Sequence, residues 1–221
     1  EIMFNSVHEV KSYCNDNGIQ IIDFKVTDLN GRWHHLSIPT ERFCEDMLEE
    51  GIGFDGSSYG FLTVEKSDMV FIPDLKTAFL DPFCKVPTLS MIGDIYTVYH
   101  GVERFEGDPR YIAEKAEKYM KATGIADEYV IGPEFEFHVF DSVSFDNKPN
   151  HMEVSINSIE AEWNTNEYNG IGYKTAHKGG YHIGLPNDTT NDFRSQACRM
   201  LEEMGMPIKY HHHEVGGPAQ L

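Results

Sequence analysis

Apolar and polar positions recur along this chain with two periods. Over residues 6–18, Val7, Val10 and Cys14 fall at helical spacing, with Ser6 able to cap the first turn and Gly18 to close the last. The period then drops to two. Ile22, Phe24 and Val26 alternate with polar neighbours, Asn30-Gly31 supplies a turn, and Leu36 and Ile38 carry the return strand. Thr40 opens a second helical stretch with Phe43, Met47 and Leu48 inward and Gly51 at its end. Strands follow at Ser67–Asp74 and Leu89–Tyr99, the second approached through Pro82 and Pro87. A polar, glycine-containing stretch at His100–Gly107 marks a boundary, so two domains are expected, 1–104 and 105–221.

Beyond the boundary the helical period returns. Asp108-Pro109 reads as a cap followed by proline in the first helical position, and Gly124 as the stop. Ile112, Ala113, Ala116, Tyr119 and Met120 form the stripe between them. Residues 142–176 are rich in Asn and poor in regular apolar positions, which predicts a long loop excursion. A short strand ending at Pro186 and a helix over Thr190–Met204 come next, the helix with Phe193, Ala197, Met200, Leu201 and Met204 inward. Strands and helices mixed in this order give an α+β fold.

Two stretches carry candidate chemistry. In Gly132–Phe140, read as a strand, Phe135, Phe137 and Val139 point to a core while Glu134, Glu136 and His138 share an open face. Same-face neighbours lie roughly 7 Å apart. Carboxylates that close raise each other's pKa unless neutralised, and Mg²⁺ or Mn²⁺ neutralises them with oxygen ligands. A solvated amphipathic strand fits the same residues. In Ile208–Val215 the alternation places Tyr210, His212 and Glu214 on one side and Lys209, His211, His213 and Val215 on the other. The three consecutive histidines therefore cannot hold one ion together. A His211/His213 pair lacks a third ligand at zinc-like spacing. Glu214 beside the first strand completes a three-carboxylate cluster suited to metal-assisted phosphoryl or nucleotidyl transfer. There is no GxxxxGK[ST] loop and no GxGxxG.

Composition narrows the partners. With 18 basic and 36 acidic residues, the net charge of −18 argues against nucleic acid or an anionic membrane surface. No apolar run approaches the roughly 20 residues of a membrane span, and EIMFNSVHEV lacks a basic segment followed by an apolar one. Cys14, Cys44, Cys84 and Cys198 form no CxxC pair, so reduced thiols and a cytoplasmic setting are expected.

Taken together, the motifs GFDGSS (Gly53–Ser58), SDM (Ser67–Met69), DPR (Asp108–Arg110), GPEFEF (Gly132–Phe137), KGGY (Lys178–Tyr181) and HHHEVGGPAQ (His211–Gln220) occur in an order that resembles the N-terminal part of a type I glutamine synthetase. The resemblance covers essentially the whole chain. It implies a small β-grasp-like domain and the first part of a catalytic domain with a curved antiparallel sheet. It implies ATP-dependent formation of glutamine from glutamate and ammonium through γ-glutamyl phosphate, with two Mg²⁺ or Mn²⁺ ions. By motif, Glu134 resembles a ligand of the ion facing the nucleotide, and Glu136 and Glu214 ligands of the ion nearer glutamate. Asp55 resembles the ammonium-binding carboxylate, with Ser58 beside it. Tyr181 resembles a residue of the ammonium and glutamate pocket, and His212 one near the nucleotide. The resemblance further implies a double-ring dodecamer whose active sites are shared between subunits.

Departures from the family pattern are also visible. The family motif continues past Leu221 with another metal-binding Glu, so residues 1–221 are expected to be part of a longer enzyme and inactive alone. The loop at Tyr59-Gly60-Phe61 is one residue short, and Thr63 stands where some regulated members carry Arg. His138 and His182 occupy positions usually aromatic or apolar. The same pattern leaves open a γ-glutamyl-amine ligase, or a truncated, non-catalytic assembly subunit.

Overall fold

A computed structural model of the chain describes residues 2–99, 101–164 and 174–221. It divides into two compact units, 1–130 and 131–221. His100 in the expected boundary stretch, and residues 165–173 of the expected loop excursion, lie outside the described residues.

The first unit is a mixed sheet with a helix on it. Helix α1 (Val7–Asp16) starts where Ser6 accepts a hydrogen bond from the Glu9 amide, and it buries Val7, Val10 and Cys14. Strands β1 (Ile21–Thr27) and β2 (Trp33–Pro39) form the expected hairpin, with Phe24 opposite Leu36 and Ile22 opposite Ile38. The stretch from Thr40 to Gly51 is not one helix. It breaks into a single 3-10 turn at Thr40–Arg42 and a short α2 (Asp46–Glu49), because Phe43 adopts an extended backbone and turns fully into the core. Strands β3 (Ile52–Asp55), β4 (Asp68–Leu80) and β5 (Thr88–Thr97) complete the order β2-β1-β5-β4-β3, with the two-residue β6 (Glu103–Arg104) on β5. The β1–β5 pair is parallel and its neighbours antiparallel.

One face of this sheet is the core. Phe24 packs against Phe43 and Phe71, both with ring centroids 5.9 Å away, and all three are buried. Burial pushes the Cys14 thiol up to about 11, which keeps it protonated and inert. On the other side of β1, Asp23 gathers Lys25 at 2.6 Å, His35 at 2.6 Å and Ser37 at 2.6 Å.

Helix α3 (Pro109–Thr123) has the expected start and stop: Asp108 accepts from the Arg110 amide, and Gly124 ends the helix in the left-handed conformation. Its apolar stripe is not buried. Ile112 and Tyr119 are exposed, and no residue of α3 is buried. The helix is tied down by polar contacts instead. Asp108 accepts from the Ile95 amide of β5 at 3.0 Å and from Arg104 at 3.1 Å, and Arg104 also reaches Glu114 at 2.9 Å.

The second unit departs further from the sequence reading. Within the expected loop, β7 (Ser142–Lys148) and β8 (His151–Asn157) form an antiparallel hairpin, with Lys148 opposite His151 across a two-residue turn. Its apolar residues, Val143, Phe145, Met152 and Val154, are exposed, so no buried face marks it as sheet. Gly132–Phe140 forms no extended strand. It meets residues 219–221 through an isolated bridge from His138 to Gln220, and Phe135, Phe137 and Val139 are exposed rather than core-facing. Among the described residues, no apolar layer covers those side chains. Helix α4 (Asn191–Glu203) is where expected, but its buried residue is Arg194, while Phe193 is exposed and touches Phe137 edge-on.

Candidate functional site

Backbone pairing draws together the segments of the second unit that carry the candidate residues. Phe137 and Leu221 exchange amide hydrogen bonds at 3.0 and 2.8 Å, and the Glu214 amide donates to Gln220 O at 2.8 Å. On the other side of Glu214, Gly180 donates to Val215 O and His182 to His213 O, at 3.1 and 3.0 Å. The Lys178–Tyr181 loop, the His211–Val215 segment and the Phe137 segment are thus laced into one small scaffold.

Period two survives along His211–Glu214 even without a strand ladder. His212 and Glu214 look one way, toward Glu134. Ligand atoms of Glu134, His212 and Glu214 all lie within 4.8 Å of one another. Glu134 is exposed and the other two are partly buried. His212 Nδ1 sits 2.9 Å from His213 O, and a carbonyl can only accept, so Nδ1 carries the proton. In the neutral ring this leaves the Nε2 lone pair facing Glu214 Oε1 at 3.5 Å. Among the described residues, neither Glu134 nor Glu214 has a Lys or Arg ion-pair partner, and the ring that Glu214 faces is that of His212. Two carboxylates and one imidazole nitrogen, converging without a Lys or Arg to neutralise them, suit a divalent cation of the Mg²⁺ or Mn²⁺ class.

Of the expected three-carboxylate cluster, Glu134 and Glu214 come together and His212 takes the third place. Glu136 lies outside this group and accepts from Gln220 Nε2 at 3.2 Å, while Gln220 Oε1 accepts from the Gly216 amide at 2.7 Å. Gln220 thereby orients Glu136, a role its sequence position did not signal. Tyr181 is exposed beside the group: it stacks on His182 at 4.2 Å and meets His212 edge-on at 5.3 Å, and His182 meets His212 at 4.4 Å. His182 and Lys178 hold positive φ without being glycine (56° and 59°), strain of a kind that concentrates in functional loops. His138 turns away to Pro218 O at 3.0 Å and stacks on Phe140.

Asp55 and Ser58 belong to the first unit, at the end of β3. Asp55 is exposed and accepts from the Ser57 hydroxyl at 2.7 Å, the Ser57 amide at 2.9 Å and the Ser58 hydroxyl at 3.0 Å. The Ser57 hydrogen bonds, followed by that of Ser58, hold its carboxyl below the usual range, so it stays ionised.

The odd-numbered histidines face inward. His211 Nδ1 accepts from Arg194 Nε at 3.1 Å and His211 Nε2 lies 3.2 Å from the Ser195 hydroxyl. Burial and the nearby Arg194 charge hold its pKa low. Arg194 in turn makes a two-pronged pair with Asp188, one prong at 3.0 Å. His213 Nε2 meets Glu160 at 2.8 Å with both side chains fully buried, and its Nδ1 donates to Glu214 O at 2.6 Å. Burial is the largest influence and works against charge on both groups, but their mutual hydrogen bond, together with those from Thr189 to Glu160 and from His213 to Glu214 O, outweighs it, so the Glu160 pKa falls and the His213 pKa rises. His211 and His213 therefore do not chelate together.

Two family models match the chain: glutamine synthetase, beta-Grasp domain, over residues 18–98, and glutamine synthetase, catalytic domain, over 106–221. The chain belongs to the glutamine synthetase family. Curated relatives of this glutamine synthetase family member include glutamine synthetase of Haemophilus influenzae, 42% identical over 98% of this chain and 46% of the relative. They also include 3-hydroxylaminophenol mutase of Cupriavidus pinatubonensis, 40% identical over 99% of this chain and 47% of the relative. A cryo-EM structure of Plasmodium falciparum glutamine synthetase matches with a TM-score of 0.87 and 27% identity, over 100% of this chain and 44% of that one. The chain spans about half the length of the curated relatives it matches. The β-grasp expectation for the N-terminal domain agrees with the family model there.

Proposed function

We propose that the protein is a glutamate–ammonia ligase, forming glutamine from glutamate and ammonium at the expense of ATP through a γ-glutamyl phosphate. The observation that carries this reading is the convergence of Glu134, His212 and Glu214 in a chain of this family. Divalent ions bound there would neutralise phosphate charge as the phosphoryl group passes to the substrate carboxylate. Within this shared cation group Glu134 and His212 would lie on the side facing the nucleotide and Glu214, with Glu136, on the side nearer glutamate. Tyr181 lines the amine and glutamate pocket. Asp55, ionised at neutral pH, attracts ammonium and takes its proton to release the nucleophile, with Ser58 orienting the carboxylate. We also propose a functional boundary at residues 104 and 105, a cytoplasmic location, and a double-ring assembly of copies of the chain in which the Asp55 loop serves a neighbour's site.

The deciding experiment is a coupled assay of glutamine formation with glutamate, ammonium, ATP and Mg²⁺ or Mn²⁺. It is run on residues 1–221 and on the chain extended to the length of its relatives. Turnover by the extended form with ammonium, absent with methylamine or polyamines, is the expected result. A preference for a larger amine would overturn the ammonium assignment. No ATP turnover with any amine would point to an assembly subunit.

A further inference from the structure

Glu160 lies outside every motif that identifies the family, in the stretch expected to be loop, yet its carboxylate is fully buried. Its hydrogen bonds explain why. Oε1 accepts from the Thr189 amide at 2.6 Å and the Thr189 hydroxyl at 2.7 Å, and Oε2 meets His213 Nε2 at 2.8 Å. A buried charge with its oxygens occupied in this way is held in one orientation. His213 is equally fixed, since its other nitrogen donates to Glu214 O. His213 stands between His212 and Glu214, whose ligand atoms converge with Glu134. With both ring nitrogens of His213 held, and its carbonyl accepting from the His182 amide, the backbone it shares with both neighbours is restrained. The Arg194–His211 contact anchors the same segment one turn of the alternation earlier.

We propose that Glu160 is a positioning residue for the cation site, acting through His213 to hold His212 and Glu214 at ligand distance. The proposal rests on the reading of Glu134, His212 and Glu214 as that site. Outer groups that orient metal ligands commonly change affinity 10–100-fold when removed.

The test is a Mn²⁺ titration of the extended protein followed by electron paramagnetic resonance, with the melting temperature measured on the same samples. Wild type, Glu214→Gln, Glu160→Gln and Thr189→Val are compared. Glu214→Gln should abolish or strongly weaken binding; if it binds Mn²⁺ like wild type, the site reading itself fails. With that control in place, Glu160→Gln should weaken Mn²⁺ binding about 10–100-fold and broaden the spectrum of the bound ion. Thr189→Val keeps the charge and loses one hydrogen bond to Glu160. It should fold and give a smaller loss of about 3-fold, which keeps the question decidable if Glu160→Gln does not fold. Wild-type Mn²⁺ affinity in the folded Glu160 variant, or in Thr189→Val, with only the melting temperature lowered, would overturn the positioning role.

Discussion

Replacing Gly180 by Ala puts one methyl group where the structure has no room. A Cβ at this position would lie 2.5 Å from Glu214 O, 2.7 Å from His213 Cε1 and 2.8 Å from His213 Nδ1. Ordinary non-bonded carbon contacts sit near 3.5 Å, so roughly 1 Å must be found. Neither side yields easily. The His213 ring is fully buried against Glu160, and the loop and the segment are tied by the Gly180–Val215 and His182–His213 hydrogen bonds at 3.1 and 3.0 Å. Forcing an extra methyl into a packed site costs about 1–3 kcal/mol. For a domain of this size that lowers the melting temperature by about 2–10 °C. Relief by backing residues 213–215 away would shift Glu214 relative to Glu134 and His212. Displacement of about 1 Å in a reacting site costs on the order of 10²-fold in rate. Thermal denaturation and Mn²⁺ titration of Gly180→Ala read the two effects separately. Gly184→Ala is the control, because a Cβ there meets nothing within 4 Å. Wild-type melting and Mn²⁺ binding in Gly180→Ala would refute the reasoning.

Other perturbations test other links. Asp55→Ala should raise the ammonium requirement at least about 10-fold while glutamate-dependent ATP turnover persists; ammonium titration of glutamine formation checks it. Asp108→Ala removes the α3 cap and orphans the buried Ile95 amide, so about 2–4 kcal/mol should be lost in urea unfolding. Burial raises the Asp23 pKa, but hydrogen bonds from Lys25, Ser37 and His35 outweigh it and hold the folded value below the ordinary carboxylate range. Its contribution is therefore complete above the unfolded carboxylate pKa and is lost as pH falls through the lower folded value. Melting curves below about pH 4 should fall less steeply for Asp23→Asn than for wild type, from a neutral-pH stability about 1–3 kcal/mol lower.

Local chemistry was legible in the sequence and distant partners were not. The Ser6 and Asp108 caps and the Asn30-Gly31 hairpin are written within a few neighbouring residues, so periodicity and turn chemistry found them. The β7–β8 hairpin was missed because its apolar residues are exposed and its turn, Pro149-Asn150, sits among Asn and Asp that read as loop. The stripe of α3 says only which side of the helix is apolar, not what covers it, and its exposure is not written in the sequence. The alternation along His211–Glu214 correctly separated His212 and Glu214 from their neighbours. It could not say what holds the other two histidines, since Glu160 lies 53 residues from His213.

That separation explains why a run of three histidines precedes Glu214 here. A one-residue slip in an extended segment exchanges its two faces, so register errors would swap inward histidines for outward ligands. An apolar inward face would resist a slip only by its shape. His213 and His211 resist it by chemistry: after a one-residue slip His212 could fill only one of the two inward places, leaving Glu214 facing Glu160 or Tyr210 facing Arg194. Had the segment slipped, either the buried Glu160 carboxylate or the buried Arg194 guanidinium would lose its imidazole partner, at a cost of about 1–3 kcal/mol or more. The polar inward face thus sets the position of the outward one, and the outward one is where Glu134, His212 and Glu214 meet.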